Sequence, residues 1–238
     1  AIAEDEDGNL IDPFNGLEDI KRKKLKAVSK AFSEDPLRAL RVARFMSQLD
    51  GFTLHSDTED ELIKISERKE LYNLSRERVW EEVTKALHHD FLKFLKVIKK
   101  YKLKEPWFSN LDNVPKEIPI SIHKENMWCY VSKLNHYDFG SELIHKKTFK
   151  VFLEAWQKLD ELSNPRNKEQ LISTLGGLCS PKFSQIIKNI IGYRNDPDEY
   201  LSILRDFNNK DFSYLNDLSS QQTIHEKNKF WNALIVKY

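Results

Sequence analysis

The stretch FSEDPLRALRVARF, residues 32–45, indicates how this chain folds. Ser33 is placed to cap a helix, and Glu34 and Asp35 follow it where the positive end of the helix dipole favours carboxylates. Pro36 is tolerated in a first turn because its missing N–H would have no partner there. Gly51 suits the end of this helix. Apolar anchors for one helical face are Leu37, Leu40, Phe45 and Leu49.

Composition favours helices along the whole chain. The 238 residues include only 7 glycines and 8 prolines, and Leu, Lys, Glu and Ile are common. We therefore predict an all-α fold, an elongated helical array with a short extended segment at its N-terminus. The 38 basic and 37 acidic residues leave a net charge of +1, so any nucleic-acid contact must come from a local basic face.

Three segments with different patterns divide the sequence. The first segment is residues 1–30, and within it residues 1–20 carry the turn dipeptides DG, DP and NG between short apolar pieces, which predicts a strand or an extended hairpin. This segment resembles the last edge of a domain that began upstream. Residues 31–105 have a helical pattern, and the stretch 104–125, with three prolines, separates them from the helices expected over residues 106–238.

Capping signals place the individual helices. Thr58 and Glu61 predict a capping box for a second helix, and Ser75 predicts the N-cap of a third. A fourth, DFLKFLKVIKKYKL, starts at Asp90 and is amphipathic. The third helix has an apolar stripe of Val79, Val83, Ala86 and Leu87. Further helices are predicted at about 126–135, 141–162, 167–178, 182–192, 196–206 and 219–236.

The spacing of Asp35 and Arg38 suggests a chemical role. Residues three apart project from one helical face, and a carboxylate only accepts hydrogen bonds while a guanidinium only donates them. Side by side they match a base edge with an amino donor beside a ring-nitrogen acceptor, which cytosine and adenine share. Uracil and guanine invert both contacts, at a cost of about 1–3 kcal/mol for each unmade buried bond. The alternative is a salt-bridged, solvated helix face.

Several motifs in order resemble one family. The EDxxRxxRxxRF pattern of residues 34–45 resembles the neck motif of class II tRNA nucleotidyltransferases, the CCA-adding enzymes. Residues 8–32 resemble the family's segment between catalytic head and neck, and LSRERVWEEVTKAL, residues 74–87, resembles its later ERxxxE-type motif. Phe52 and Thr58 fall where the family has its FxxxxxT connection. The resemblance covers about residues 8–90, and beyond about residue 105 no motif is recognised.

The resemblance implies a function and a set of site residues. The chain would be the C-terminal portion of a CCA-adding enzyme, selecting CTP and ATP and docking the acceptor and T-arm side of tRNA. Residues 1–30 would be a remnant linking an absent catalytic head, residues 31–105 the neck, and residues 106–238 the body and tail. The implied nucleotide-binding residues are Asp35 and Arg38, as an amino-acid template, with Glu34, Arg41 and Arg44; Glu77 and Arg78 would brace the neck.

The metal chemistry of the family has no matching residues here. Its reaction needs two Mg²⁺ ions held by paired carboxylates, which the resemblance assigns to the head. The D-x-D pairs Asp5/Asp7 and Asp196/Asp198 lie in turn and capping contexts, so neither is expected to bind a metal. His89-Asp90 is expected to be a helix end rather than part of a metal-dependent phosphohydrolase site. The chain alone is therefore expected to be inactive, with no catalytic residue of its own.

Weaker signals in the sequence concern RNA contacts and the cellular compartment. Lys93, Lys96 and Lys100 could contact tRNA phosphates, although a lysine-rich face is more often simply solvated. Cys129 and Cys179 form no metal-ligand spacing, which with the absence of an apolar membrane-length run favours a cytoplasmic protein. The oligomeric state stays open. The alternatives are a poly(A) polymerase of the same family, a stand-alone tRNA-binding protein without a head, and a helical scaffold.

Overall fold

The computed structural model describes residues 2–117, 124–144, 146–162, 168–178, 183, 186, 206, 209–211 and 213–237. Two compact units divide the chain: one comprises residues 1–118 and 130–144, and the other residues 119–129 and 145–238. The predicted helices at 182–192 and 196–206 lie largely outside the described residues, as do Cys179, Asp196 and Asp198. The all-α prediction is confirmed, because helices dominate and each described strand has only two residues.

The first unit begins with the predicted hairpin. Strands β1 (Ala3–Glu4) and β2 (Leu10–Ile11) pair antiparallel, with Ala3 opposite Ile11. Asp5 closes the turn between them, because its carboxylate accepts the backbone N–H groups of Asp7 and Asn9 at 3.0 and 2.7 Å. This turn-forming role of the Asp5/Asp7 pair confirms the structural interpretation of that motif.

A short connection leads from the hairpin to the helices. Helix α1 (Gly16–Lys21) is followed by strand β3 (Lys24–Leu25), which pairs in parallel with β4 (Thr53–Leu54). Gly51 precedes β4 with a φ of +76°, a conformation that glycine adopts without strain.

Helix α2 (Leu37–Gln48) starts later than its sequence predicts. Residues Lys30–Glu34 form a 3₁₀ turn, so Ser33 is not the N-cap of α2. Pro36 is the N-cap residue, and the Asp35 carboxylate beside it accepts the Leu37 N–H at 3.1 Å. The extended backbone of Asp35 before Pro36 explains the shift, because a residue that precedes proline is driven out of the helical region.

The predicted capping box of helix α3 (Ser56–Glu67) is wrong. His55 is the N-cap, and its Nδ1 accepts the Asp57 N–H at 3.2 Å. Thr58 is instead fully buried, where its hydroxyl accepts the Ala27 N–H at 2.7 Å and donates to the Leu25 carbonyl at 3.2 Å. Buried backbone groups need hydrogen-bond partners, so the Thr58 hydroxyl bonds to them instead of capping the exposed end of a helix.

Helices α4 (Arg76–Ala86) and α5 (Phe91–Lys100) complete the core around α2, which packs against both. Ser75 accepts the Arg78 N–H at 3.5 Å and Asp90 accepts the Lys93 N–H at 3.0 Å, so both act as N-caps. The His89-Asp90 pair is therefore a helix end, as predicted. The predicted apolar stripe of α4 is buried throughout, as are Phe91, Phe94, Leu95 and Ile98 of α5.

Beyond α5, residues 101–117 form turns that stay attached to this unit. Phe94, Phe108 and Phe139 make a continuous aromatic contact, with ring centroids 5.7 and 6.4 Å apart. Asn135 is buried and accepts the N–H groups of Asp112 and Asn113 while donating to the carbonyls of Asn113 and Val131. This polar clamp anchors the irregular segment.

The second unit is also helical. Its described elements are part of α6 (Lys124–Leu134), α7 (Lys147–Leu162), α8 (Lys168–Leu178), a 3₁₀ turn at Ser213–Leu215 and α9 (Ser220–Lys237). Helix α7 starts six residues after the predicted position. Trp128, Trp156 and Trp231 are buried, as the sequence predicts for core residues. Among the helices described in both units, none is long and apolar enough to cross a membrane.

Candidate nucleotide and RNA site

The carboxylate of Asp35 is held at both oxygens at the start of α2. Oδ1 accepts the Leu37 N–H at 3.1 Å, and Oδ2 accepts Nη2 of Arg78, from the first turn of α4, at 2.8 Å. The Arg78 and Asp35 side chains keep 49% and 35% of their surface exposed, so a ligand can reach them. Since a carboxylate offers about four lone-pair sites, Asp35 is oriented by these bonds without being saturated.

Arg38 is fixed by a different partner. Its Nη1 donates to the carbonyl of Ala31, in the 3₁₀ turn before α2. One bond leaves the other donors of the guanidinium available. Within the described residues, Asp35 and Arg38 are thus held separately and do not form an ion pair with each other.

Arg38 and Arg41 line a cavity of about 220 Å³ between α2 and the segment that follows β3. Lys26 adds a third cation, and the lining contains no carboxylate. The remaining walls come from Leu25, Ala27, Val28, Phe32, Val42, Phe45 and Thr58. Three cations beside aromatic and aliphatic side chains suit a ligand that combines an anionic group with a flat, apolar part.

Arg44 has a separate environment although it continues the same three-residue spacing. Its Nε lies 2.6 Å from Oε2 of Glu82, on α4, and these side chains are only 12% and 6% exposed. Nη1 also donates to Gln48 at 3.0 Å, and the guanidinium stacks over the Phe45 ring at 4.0 Å. Arg44 therefore joins α2 to α4. The exposed Glu34 and Glu77 lie at the surface, at the end of the 3₁₀ turn and in the first turn of α4.

Two of these relationships are not predictable from periodicity. The contact of Arg78 with Asp35 spans 43 residues, and that of Arg44 with Glu82 spans 38. The only available signal is the occurrence of both motifs in one sequence, since helical spacing describes one helix at a time.

The predicted lysine face on α5 is partly occupied by ion pairs. Lys93 contacts Asp50 at 2.8 Å, and Lys100 contacts Glu59 at 2.9 Å. The hydrogen bond with Lys93 lowers the pKa of the Asp50 carboxyl. Lys96 is exposed and makes no ion pair within the described residues, so it is the most available cation of the three.

No group of three or more potential metal ligands comes together among the described residues. Cys129 is buried and free, and burial raises the pKa of its thiol well above the usual range, which disfavours the reactive thiolate. The described part of the chain therefore offers no fit for paired Mg²⁺ ions.

Comparisons with known proteins show what the chain is similar to. Residues 51–114 match a family model described as "Probable RNA and SrmB- binding site of polymerase A". Over 115 residues the chain is 42% identical to the multifunctional CCA protein of Pseudoalteromonas atlantica, a stretch that covers 47% of this chain and 28% of that protein. Over 92 residues it is 49% identical to the CCA-adding enzyme of Buchnera aphidicola, covering 38% of this chain and 22% of that protein.

Over these matched residues the chain is similar to CCA-adding enzymes. It spans about a third or less of the length of the curated family members it matches. A solved structure of a CCA-adding enzyme with CTP aligns with 95% of this chain and 68% of its own, at a TM-score of 0.50 and 18% identity. At that identity the similarity shows a shared fold and nothing further.

Proposed function

We propose that this chain supplies nucleotide selection and tRNA docking for CCA addition. In this proposal Asp35 and Arg38 read the Watson–Crick edge of incoming CTP or ATP in place of a nucleic-acid template. The observation that carries the proposal is the orientation of Asp35, whose carboxylate is held by Leu37 N–H at 3.1 Å and by Arg78 at 2.8 Å.

The chemistry of selection follows from the hydrogen-bond inventory. The open lone pairs of Asp35 accept from the exocyclic amino group of cytosine or adenine, and a guanidinium N–H of Arg38 donates to the adjacent ring nitrogen. Uracil and guanine present the inverse pattern and would leave both contacts unmade, at about 1–3 kcal/mol each. Preorganisation by Arg78 and Ala31 reduces the ordering cost when the base binds.

Arg41 complements this pair from the cavity wall. Because it lies exposed beside Arg38 while Arg44 is engaged with Glu82, Arg41 is the arginine that we assign to the phosphate groups of the nucleotide. Glu34 and Glu77, both exposed, frame the site and make no assigned contact with the base.

The transfer step itself is assigned to the head domain of the longer family members. Paired Mg²⁺ ions would supply activation of the attacking hydroxyl and stabilisation of the leaving phosphate there. Since the described residues of this chain do not fit such a site, we derive no catalytic step from them. The tRNA would be docked by residues 106–238 and by the basic side of α5, with Lys96 contributing more than the ion-paired Lys93 and Lys100.

The test combines this chain with a head domain. The chain, alone or with the head part of the Pseudoalteromonas atlantica relative, is incubated with Mg²⁺, labelled CTP and ATP, and tRNA lacking its 3′ CCA. We expect incorporation only with the head, and Asp35→Ala and Arg38→Ala should admit UTP or GTP or abolish incorporation. Arg76→Ala is the matched control, as an exposed arginine on α4. Incorporation that keeps its CTP and ATP preference in Asp35→Ala would refute the template.

A poly(A) polymerase is the second candidate, because the matched family model names polymerase A. The same assay separates the two. Addition that stops after C-C-A supports the first function, and a continued run of A with ATP alone supports the second. Binding of tRNA without incorporation in any combination would favour a stand-alone tRNA-binding protein.

A further inference from the structure

One buried hydroxyl, that of Thr58, holds the backbone on both sides of Lys26. It accepts the N–H of Ala27 at 2.7 Å and donates to the carbonyl of Leu25 at 3.2 Å, and Thr58 is fully buried. These two backbone groups come directly before and after Lys26 in the chain. The backbone at Lys26 is therefore fixed, although the lysine itself is exposed.

The Thr58 hydroxyl takes the place of a further strand residue opposite β3. Strand β4 pairs with β3 over only two residues, and a backbone bond from the His55 N–H to the Leu25 carbonyl follows at 3.0 Å. The chain then enters α3, so the Ala27 N–H has no strand residue opposite it. Thr58, in the first turn of α3, supplies the acceptor that this buried N–H needs.

The extended backbone presents Lys26 to the cavity beside α2. Leu25 is half-buried, whereas Lys24 and Lys26, on either side of it, are exposed, as alternation along an extended segment requires. Of these two lysines, only Lys26 lines the cavity of about 220 Å³ that Arg38 and Arg41 also line. That lining, as far as the described residues show it, holds no carboxylate that could neutralise the three cations.

The charge of this cavity indicates the kind of ligand that it takes. Three like charges around one small space repel one another, and a bound polyanion relieves that repulsion. In the proposed template the Arg38 guanidinium faces the base, which leaves Arg41 and Lys26 for the phosphate groups. An ammonium suits that role because it is a compact charge with three donors and needs no particular acceptor geometry.

We propose that Lys26 binds the triphosphate of the incoming nucleotide beside Arg41, and that Thr58 is the positioning residue that holds Lys26 there. The inference rests on the proposed function and adds a phosphate-binding residue to it. A contact with phosphate is the same for every base, so Lys26 contributes affinity for the triphosphate and no choice between bases. The fixed backbone lowers the ordering cost of binding, since only the lysine side chain has to be immobilised.

An NMR titration of the complete chain tests the role of Lys26. Wild type and variants are titrated with CTP, CMP and inorganic tripolyphosphate, and dissociation constants are taken from the backbone amide shifts. We expect wild type to bind CTP and tripolyphosphate at least tenfold more tightly than CMP. Lys26→Ala should weaken both at least fivefold, because a charge-assisted hydrogen bond is lost, and leave CMP within twofold.

Lys24→Ala is the matched control, since Lys24 is equally an exposed lysine of the same segment and does not line the cavity. It should leave all three dissociation constants within twofold. Equal losses in Lys24→Ala and Lys26→Ala would overturn the inference, because the basic segment would then act only through its overall charge. A wild-type chain that does not bind tripolyphosphate would overturn it as well.

Three variants test whether Thr58 acts through Lys26. Thr58→Val keeps the shape of the side chain without its hydroxyl and should weaken CTP binding as much as Lys26→Ala does, whereas Thr58→Ser should stay within twofold of wild type. The double variant Lys26→Ala/Thr58→Val should bind CTP within twofold of Lys26→Ala alone. A further multiplicative loss in the double variant would assign Thr58 to general stability and overturn its positioning role.

Hydrogen exchange gives a readout that needs no change at Thr58. Tripolyphosphate should slow exchange of the Ala27 N–H, whose acceptor is the Thr58 hydroxyl, at least threefold in wild type and not in Lys26→Ala. Unchanged exchange in wild type would count against coupling between the phosphate site and this hydroxyl.

The phosphate site and the template can fail separately. Lys26→Ala should weaken binding of CTP, ATP, UTP and GTP alike, whereas the template predicts that Asp35→Ala changes the preference among them. A uniform effect of Lys26→Ala with unaltered preference in Asp35→Ala would refute the template while the phosphate site stands. An altered preference in Asp35→Ala with no effect of Lys26→Ala would refute the phosphate site alone.

Discussion

Arg44 Nε lies 2.6 Å from Glu82 Oε2 in a largely buried ion pair that joins α2 to α4. The three arginines of the neck motif thus have three environments: Arg38 at a backbone carbonyl, Arg41 at a cavity wall, and Arg44 in a buried pair. Their equal spacing in sequence does not give them equal roles.

The buried pair leads to a stability prediction. Glu82→Ala should lower the free energy of unfolding by about 3 kcal/mol, because removing one partner leaves the Arg44 charge buried and unpaired. Arg41→Ala, the matched change on the exposed face of α2, should lower it by less than about 0.5 kcal/mol. Urea unfolding followed by circular dichroism measures both, and equal losses for the two variants would contradict the assignment.

Arg78 should affect selectivity more than stability. The Arg78–Asp35 pair is 49% and 35% exposed, so Arg78→Ala should change the free energy of unfolding by less than about 1 kcal/mol. It should nevertheless reduce the preference for CTP and ATP over UTP and GTP, since Asp35 loses the group that orients it. Arg78→Lys should restore charge but only part of the preference, because an ammonium lacks the planar donor geometry.

The measurement for Arg78 is kcat/KM for each of the four nucleotides, with the head domain supplied. A loss of rate that is equal for all four nucleotides would indicate a general structural role and would count against positioning of Asp35.

Local signals in the sequence were sufficient where one helix or turn decides the outcome. Ser75 caps its helix and His89-Asp90 lies at a helix end, both as predicted, and the turn around Asp5 forms as its residues require. The sequence did not predict the extended backbone before Pro36 or the burial of Thr58. Before Pro36, a restriction on the backbone overrides the local capping propensity. At Thr58, a hydrogen bond to a partner 31 residues away does so. Such long-range hydrogen bonds leave no periodic trace in one sequence.

The candidate site, like the fold, could be predicted from the sequence only in part. Helical spacing and hydrogen-bond chemistry predicted Asp35 and Arg38 as a pair, but Asp35 lies in extended backbone before α2 and so does not share a helical face with Arg38. The partners that hold them, Arg78 and the Ala31 carbonyl, depend on how the elements pack. The sequence also could not separate Arg41 from Arg44, since only the position of α4 decides which arginine meets Glu82.

Asn135 should be a stability determinant outside the site. Its side chain is 3% exposed and makes four hydrogen bonds, at 2.7–2.9 Å, to the backbone of Asp112, Asn113 and Val131. Asn135→Ala should lower the free energy of unfolding by about 2–4 kcal/mol, because several partly buried groups lose their partner together. Asn113→Ala removes one exposed bond of 3.2 Å and should cost less than about 1 kcal/mol.

A second substitution at this position tests the polarity of the clamp. Asn135→Asp keeps the acceptor but replaces the donor with a carboxylate that faces two carbonyls, so this variant should be less stable at pH 7 than at pH 4, relative to wild type. Chemical denaturation at the two pH values gives the comparison. If neither Asn135→Ala nor Asn135→Asp changed the free energy of unfolding, water would be replacing the hydrogen bonds of the clamp.

Glu59 gives the clearest pH prediction. Hydrogen bonds from Tyr101 and then Lys100 hold the pKa of its carboxyl below the usual 4.5. A lowered folded-state pKa means that the stabilisation is present above pH 4.5 and is lost as the pH falls through the folded value. The difference in free energy of unfolding between wild type and Glu59→Gln, measured by chemical denaturation, should therefore be largest near neutral pH and disappear in acid. It should stay under about 1 kcal/mol, because the Glu59 side chain is 38% exposed.

Tyr101→Phe isolates the cause of the shift. Removing the hydroxyl deletes the largest contribution, so an NMR titration of the Glu59 carboxyl should give a pKa closer to 4.5 than in wild type. Lys100→Met should move the pKa in the same direction, since Lys100 also donates a hydrogen bond to this carboxylate. An unchanged pKa in Tyr101→Phe together with a shift in Lys100→Met would show that the lysine rather than the buried hydroxyl controls this carboxylate.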